Sequence, residues 1–102
     1  IFCIGTNSVA TANMLKAGAK YGGSGENPVV VACRDADYII GPIGIIMADS
    51  MLGEISPLMA QAVGASNAHK ILIPINKCLT VAGVQNLSLG EYIKIAVDSI
   101  QV

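Results

Sequence analysis

The sequence predicts an α/β domain, a mostly parallel sheet with helices on both faces. Three observations predict it. "IFCIG", "DYIIG" and "KILIPI" are short apolar runs, of the kind that strands buried on both sides require. Between them lie segments that open with helix-start residues and continue with apolar residues at helical spacing. Strands alternating with helices along a chain are the pattern of parallel βαβ units.

Ile1 to Gly5 is apolar and ends in glycine, a buried strand. Thr6, Asn7 or Ser8 can cap a helix over Ser8 to Ala17, and Gly18 stands where a left-handed residue ends it. Its inward stripe is either Val9, Ala12 and Leu15 or Ala10, Met14 and Ala17. Gly22, Gly23 and Gly25 predict a loop, and Asn27-Pro28 a cap followed by proline at the first helical position. Val29 to Ala36 is read as a short helix against the strand preference of three consecutive valines, because the strand that follows needs a crossover before it.

Tyr38 to Gly41 is the next strand, and Gly41-Pro42-Ile43-Gly44 the turn that leaves its C-terminal end. Pro42 has no N–H for a ladder, so pairing is expected to stop there. Ile45 to Leu52 is expected to start a helix. Ser56-Pro57 caps another, running through Val63. Lys70 to Ile75 is a strand, and "LTVAGV" an edge strand or a turn-rich connection. Ser88 and Glu91 fit a capping box ahead of a terminal helix whose inward stripe is Tyr92, Ile93, Ala96, Val97 and Ile100.

Composition bounds the function. The chain has 102 residues, enough for one small domain burying roughly two-thirds of its unfolded surface. Hydrophobic residues make up 53% and charged residues 13%, against a usual charged share of about a quarter. Buried parallel strands account for part of that shortage, and an apolar face covered by a partner for the rest, so a homo-oligomer, most simply a two-fold dimer, is expected. The apolar run from Tyr38 to Ala48 is interrupted by two glycines and a proline, too short for a membrane span. The six basic residues are scattered and the aromatics few, which argues against nucleic acid. Cys3, Cys33 and Cys78 are odd in number and form no CxxC pair, as expected of a protein kept in a reducing cytoplasm.

The stretches "IGTNSVATANMLKAGA", "GSGENPVVV", "ADYIIGPIGIIMADSMLGEISPLMAQAVG" and "KILIPINKC" together resemble an uncharacterised family of small bacterial Rossmann-like proteins, a domain of unknown function. Members typically carry one more strand and a glycine-rich turn of dinucleotide-binding type ahead of the part matched here. The resemblance therefore implies a Rossmann-like three-layer sandwich over residues 1–102, an upstream strand, and a nucleotide or dinucleotide as ligand. It carries over no activity.

In open α/β sheets ligands bind beyond the C-terminal ends of the strands. The residues expected there are Gly5, Thr6, Asn7 and Ser8, then Gly41, Pro42 and Gly44, then Asn76 and Lys77. The first group offers helix N-terminal N–H groups to an anion, or merely caps a helix. Gly41 and Gly44 allow close ligand approach, or only a tight turn. Lys77 can neutralise a phosphate. Cys78 is read as a packed or ligand-adjacent thiol rather than a nucleophile, since His69 stands at the far end of the same strand. Asp49 and Glu54 can bind hydroxyls or a metal, or simply face water near a helix start. His69 has no HxxxH or cysteine partner, so no structural metal site is expected. "GGSGEN" lacks the GK[ST] ending of a P-loop. The ligand expected is a nucleotide or other phosphorylated small molecule. The alternative is a non-catalytic assembly or regulatory subunit. No residue fixes a reaction.

Overall fold

The structure, a computed structural model, describes residues 1–76 and 78–100. Strands β1 (Phe2–Gly5), β2 (Tyr21–Ser24), β3 (Tyr38–Pro42) and β4 (His69–Ile73) alternate with helices α1 (Ser8–Lys16), α2 (Glu26–Asp35), α3 (Pro57–Ala65) and α4 (Leu89–Asp98). β1 pairs with β2 and β3 with β4, both in parallel, giving two two-stranded sheets. Among the described residues no ladder joins the sheets. The radius of gyration, 13.3 Å, matches the about 13 Å of a compact chain this long, so both sheets belong to one body.

The helix starts follow from local chemistry. Asn7 caps α1 by accepting from the Ala10 N–H at 2.9 Å. Ser56 caps α3 with Pro57 in the first turn, and Ser88 and Glu91 form the reciprocal capping box of α4. The Lys70 ammonium donates to the carbonyls of Gly64 and Ser66 at the C-terminal end of α3, where a cation is favoured. Gly18 is left-handed at φ 120° behind α1, as its position requires.

The core lies between α2 and α3 and the strands beneath them. Val29 and Cys33 of α2, Met59, Ala60 and Val63 of α3, and Ile55 form one buried cluster, and Ile4, Ile39 and Ile45 pack against it. α1 lies on the opposite face of β1 and β2. A Cβ on Gly22 would meet Cys3 and Thr11 of that face at 3.0 Å, whereas one on Gly23 would meet Pro28 of α2 at 2.7 Å.

Several expectations need correction. Tyr21–Ser24 is a strand, not a loop: its glycines are there because helices press on both of its faces, not because the chain turns. α2 starts at Glu26 behind Gly25, which places Pro28 at the third helical position. Pairing of β3 runs on through Pro42, opposite Ile73. Ile45 to Leu52 is not a helix. A 3-10 turn over Ile43–Ile46 is followed by Asp49, Met51 and Leu52 in the left-handed region, which no α-helix tolerates. Of the two readings of "LTVAGV", the turn-rich connection is the one found, not the edge strand. In α1 the half-buried pair is Ala10 and Met14, while in α4 Ala96 is buried and Ile93 and Val97 are exposed.

Candidate site at the C-terminal strand ends

The end of β1 is shaped around Thr11. Its hydroxyl, in a residue 7% exposed, accepts from the Gly5 N–H at 3.1 Å and lies 2.9 Å from Gly23 O and 2.7 Å from Ser24 Oγ. One hydroxyl thus fastens β1, β2 and α1 together. Gly5 has no room for a side chain: a Cβ there would sit 2.6 Å from the Thr11 backbone nitrogen. Thr6 and Asn7 then leave the strand end, and Ser8 opens α1 in an exposed position.

A loop between β3 and α3 gathers the other strand ends. Ser50 donates to Gly44 O at 2.6 Å, and Asp49 N–H donates to Ile55 O at 2.7 Å. Glu54 reaches β1, accepting from Thr6 Oγ1 at 3.1 Å and Asn7 Nδ2 at 3.2 Å. Gly44 is close to Asn76: a Cβ on it would lie 3.4 Å from Asn76 Nδ2 and 3.4 Å from Ser50 Oγ. Residues 44–54 therefore join the ends of β1 and β3 to the segment that follows β4. Of the expected site residues, Gly5, Thr6, Asn7, Gly44 and Asn76 fall along this line. Gly41 and Pro42 form the end of β3 itself, and Lys77 lies outside the described residues.

The loop is built under strain. Asp49, Met51 and Leu52 have φ of 63°, 56° and 56°, a conformation unfavourable for side-chain-bearing residues, and Gly53 follows at 85°. Ile55 anchors one end in the core, while Leu52 stands fully exposed. Nearby, Ser56 Oγ donates to Glu26 Oε2 at 2.5 Å, which places a second carboxylate at the same edge. The described side chains thus offer hydroxyl and amide donors together with carboxylate acceptors, the combination that recognises hydroxyl groups.

Two features escaped the sequence reading. The sequence marks Glu54 as a carboxylate that binds hydroxyls or a metal or simply faces water, but not its bonds to Thr6 and Asn7, because those partners lie 48 and 47 positions away. An open hollow of about 320 Å³ beside Asn76 is lined by Thr80, Gln85, Asn86 and Tyr92, in a connection whose only signal was its polar Gln-Asn pair. A more apolar hollow of about 310 Å³ lies between β4 and α4. Tyr92 closes the connection by donating to Gln85 O and accepting from the Leu87 N–H.

The three thiols are all free. Cys78 is exposed rather than packed, with its Sγ 3.1 Å from Asn76 Oδ1. Burial pushes the Cys33 thiol up from its ordinary range, and the Lys70 charge offsets that only in part. His69 stacks edge-on against Tyr38 at 5.9 Å, at the opposite end of β4 from Asn76. Among the described residues no three His, Cys, Asp or Glu side chains group to hold a metal ion, and no helix is long and apolar enough to cross a membrane.

An α/β chain of parallel strand pairs with its loops gathered at the C-terminal strand ends is the class this geometry defines. The chain belongs to the family described as a domain of unknown function, DUF3842, whose model matches residues 1–102. Neither the curated proteins nor the solved structures yield a match.

Proposed function

We propose that this is a Rossmann-like domain that binds a nucleotide or other phosphorylated small molecule across the C-terminal ends of its strands. The observation that supports it most is the single loop linking Thr6 and Asn7, Gly44 and Asn76 through Glu54 and Ser50. Strand-end loops gathered in this way are where open α/β sheets place their ligands. Thr6, Asn7 and Glu54 supply two donors and a carboxylate, which suits the hydroxyls of a sugar. The phosphate is assigned to the backbone N–H groups opening α1 and to Lys77. Three unpaired thiols accord with a reducing cytoplasm.

A thermal-shift panel of nucleotides, sugar phosphates and their unphosphorylated counterparts tests this. A ligand bound only by the native state raises the melting temperature saturably. Glu54→Ala should reduce that rise for sugar-bearing ligands and leave the ligand-free melting temperature nearly unchanged. No response to any member of the panel would reject the reading.

One observation favours a second reading, a homo-oligomeric assembly. Leu89, Ile93 and Val97 form a stripe along α4 and are 56%, 45% and 56% exposed. Sedimentation equilibrium at micromolar concentration decides it: a dimer supports the assembly, and a single monomeric species removes it.

A further inference from the structure

The segment that runs from β4 to α4 borders two hollows that share a wall. The first, about 310 Å³, lies between β4 and α4, with Ile73, Val84, Tyr92, Ile95 and Ala96 among its lining residues. Tyr92, Ile95 and Ala96 stand three and four positions apart, so they form one face of α4, distinct from the Leu89, Ile93 and Val97 stripe. The second, about 320 Å³, opens beside Asn76 and is lined by polar side chains, Thr80, Gln85 and Asn86 among them. Pro74, Val84, Gln85 and Tyr92 border both, so the two make one cleft, apolar at one end and polar at the other. Tyr92 fixes the shared wall. Its hydroxyl donates to Gln85 O and accepts from the Leu87 N–H, which ties the connection to α4 before any guest arrives.

We propose that this cleft binds a small uncharged amphipathic molecule, its short alkyl chain or single ring in the apolar hollow and its hydroxyl or primary amide head in the polar one. The apolar end has both the room and the drive. Its volume of about 310 Å³ exceeds the roughly 150 Å³ that takes a benzene ring, so a chain of about six carbons fits. Val84 of the connection and Ile95 of α4 are 45% and 52% exposed, and a guest between them removes apolar surface from water on two sides at once. The polar end sets the head group. Among the described residues no Asp, Glu, Lys, Arg or His lines either hollow, so a charge on the guest would lose hydration without gaining a counter-charge. The side chains of Thr80, Gln85 and Asn86 make no hydrogen bond among the described residues, which leaves hydroxyl and amide donors and acceptors for the guest. Asn76, by contrast, has its Oδ1 engaged by the Cys78 N–H at 3.0 Å. Among the described residues the cleft shares only Asn76 with the strand-end site, and it does not rest on nucleotide binding.

An NMR titration of the protein with hexanamide, hexanoate, hexylammonium and acetamide tests the proposal. Hexanamide at millimolar concentration should give saturable shifts at the Ile73, Val84 and Ile95 backbone amides and at the Gln85 and Asn86 side-chain amides. Acetamide lacks the chain and the two ions carry a charge, so each should bind at least about ten-fold more weakly. Val84→Asp, at an exposed position, should weaken hexanamide about ten-fold or more while the circular dichroism stays unchanged. Asn86→Asp sets a carboxylate beside the head and should move the preference to hexylammonium, a reversal that mere loosening of α4 does not produce. Equal responses to hexanamide and hexanoate would overturn the proposal, as would shifts confined to other residues or none up to the solubility of the amide. So would shifts at Ile73, Val84 and Ile95 that follow protein concentration alone, because a second copy would then fill the cleft.

Discussion

The two faces of the sheets are finished to different degrees. On one, α2 and α3 bury valine, methionine, isoleucine and cysteine in a single cluster. On the other, α1 and α4 contribute one buried residue each, Thr11 and Ala96, while apolar side chains such as Val9, Ile93 and Val97 stay in water. Both faces carry apolar side chains, and the difference lies in what covers them. Hydrophobicity read from sequence locates surfaces to be buried but does not say which partner buries them.

Perturbations of the finished face should therefore be the most costly. Met59, 4% exposed in the cluster, should lose about 2–5 kcal/mol on substitution by alanine, read from denaturant unfolding. A loss under about 1 kcal/mol would mean that this face is as loosely packed as the other. Gly5→Ala comes next. Its Cβ would press on the backbone of α1, and overpacking of this kind costs about 1–3 kcal/mol. The companion Thr11→Ser keeps the hydroxyl and should cost less.

On the less covered face the effects should shrink. Ser88→Ala removes the cap of α4 and should cost about 1 kcal/mol. Hydrogen bonds from Ser88 hold the Glu91 carboxyl below its usual range. A carboxyl lowered in the folded state stabilises above its unfolded pKa of about 4.3 and loses that contribution as the pH falls through the folded value. α4 should therefore fray first in acid, below about pH 4, and Glu91→Gln should flatten that dependence when followed by circular dichroism. Ile93→Ser should change stability by less than about 0.5 kcal/mol in residues 1–102. A larger loss would show that this face is already covered.

Much of this was legible in the sequence, for reasons that separate local from distant chemistry. Asn7, Ser56 and Ser88 act on N–H groups three positions along, so their caps could be read directly. β3 and β4 showed as isoleucine runs. β2 did not, because "YGGS" owes its glycines to Thr11 and Pro28 pressing from two helices, a tertiary cause. The helix expected over Ile45 to Leu52 failed because periodicity cannot register the left-handed residues that bend this loop toward β1. At the candidate site the strand-end loops were legible from topology and Glu54 as a candidate carboxylate, while its bonds to Thr6 and Asn7 were not, since they are contacts across the fold.

The central claim is that the strand-end loops, and not the exposed helix stripe, are the working surface. An NMR titration of the full-length protein with ATP, and separately with inorganic phosphate, tests it most directly. Saturable shifts are expected at Thr6, Asn7, Gly44, Glu54 and Asn76 with ATP, while Leu89, Ile93 and Val97 stay silent. Shifts confined to the α4 stripe, or none at the strand ends at millimolar ligand, would contradict it.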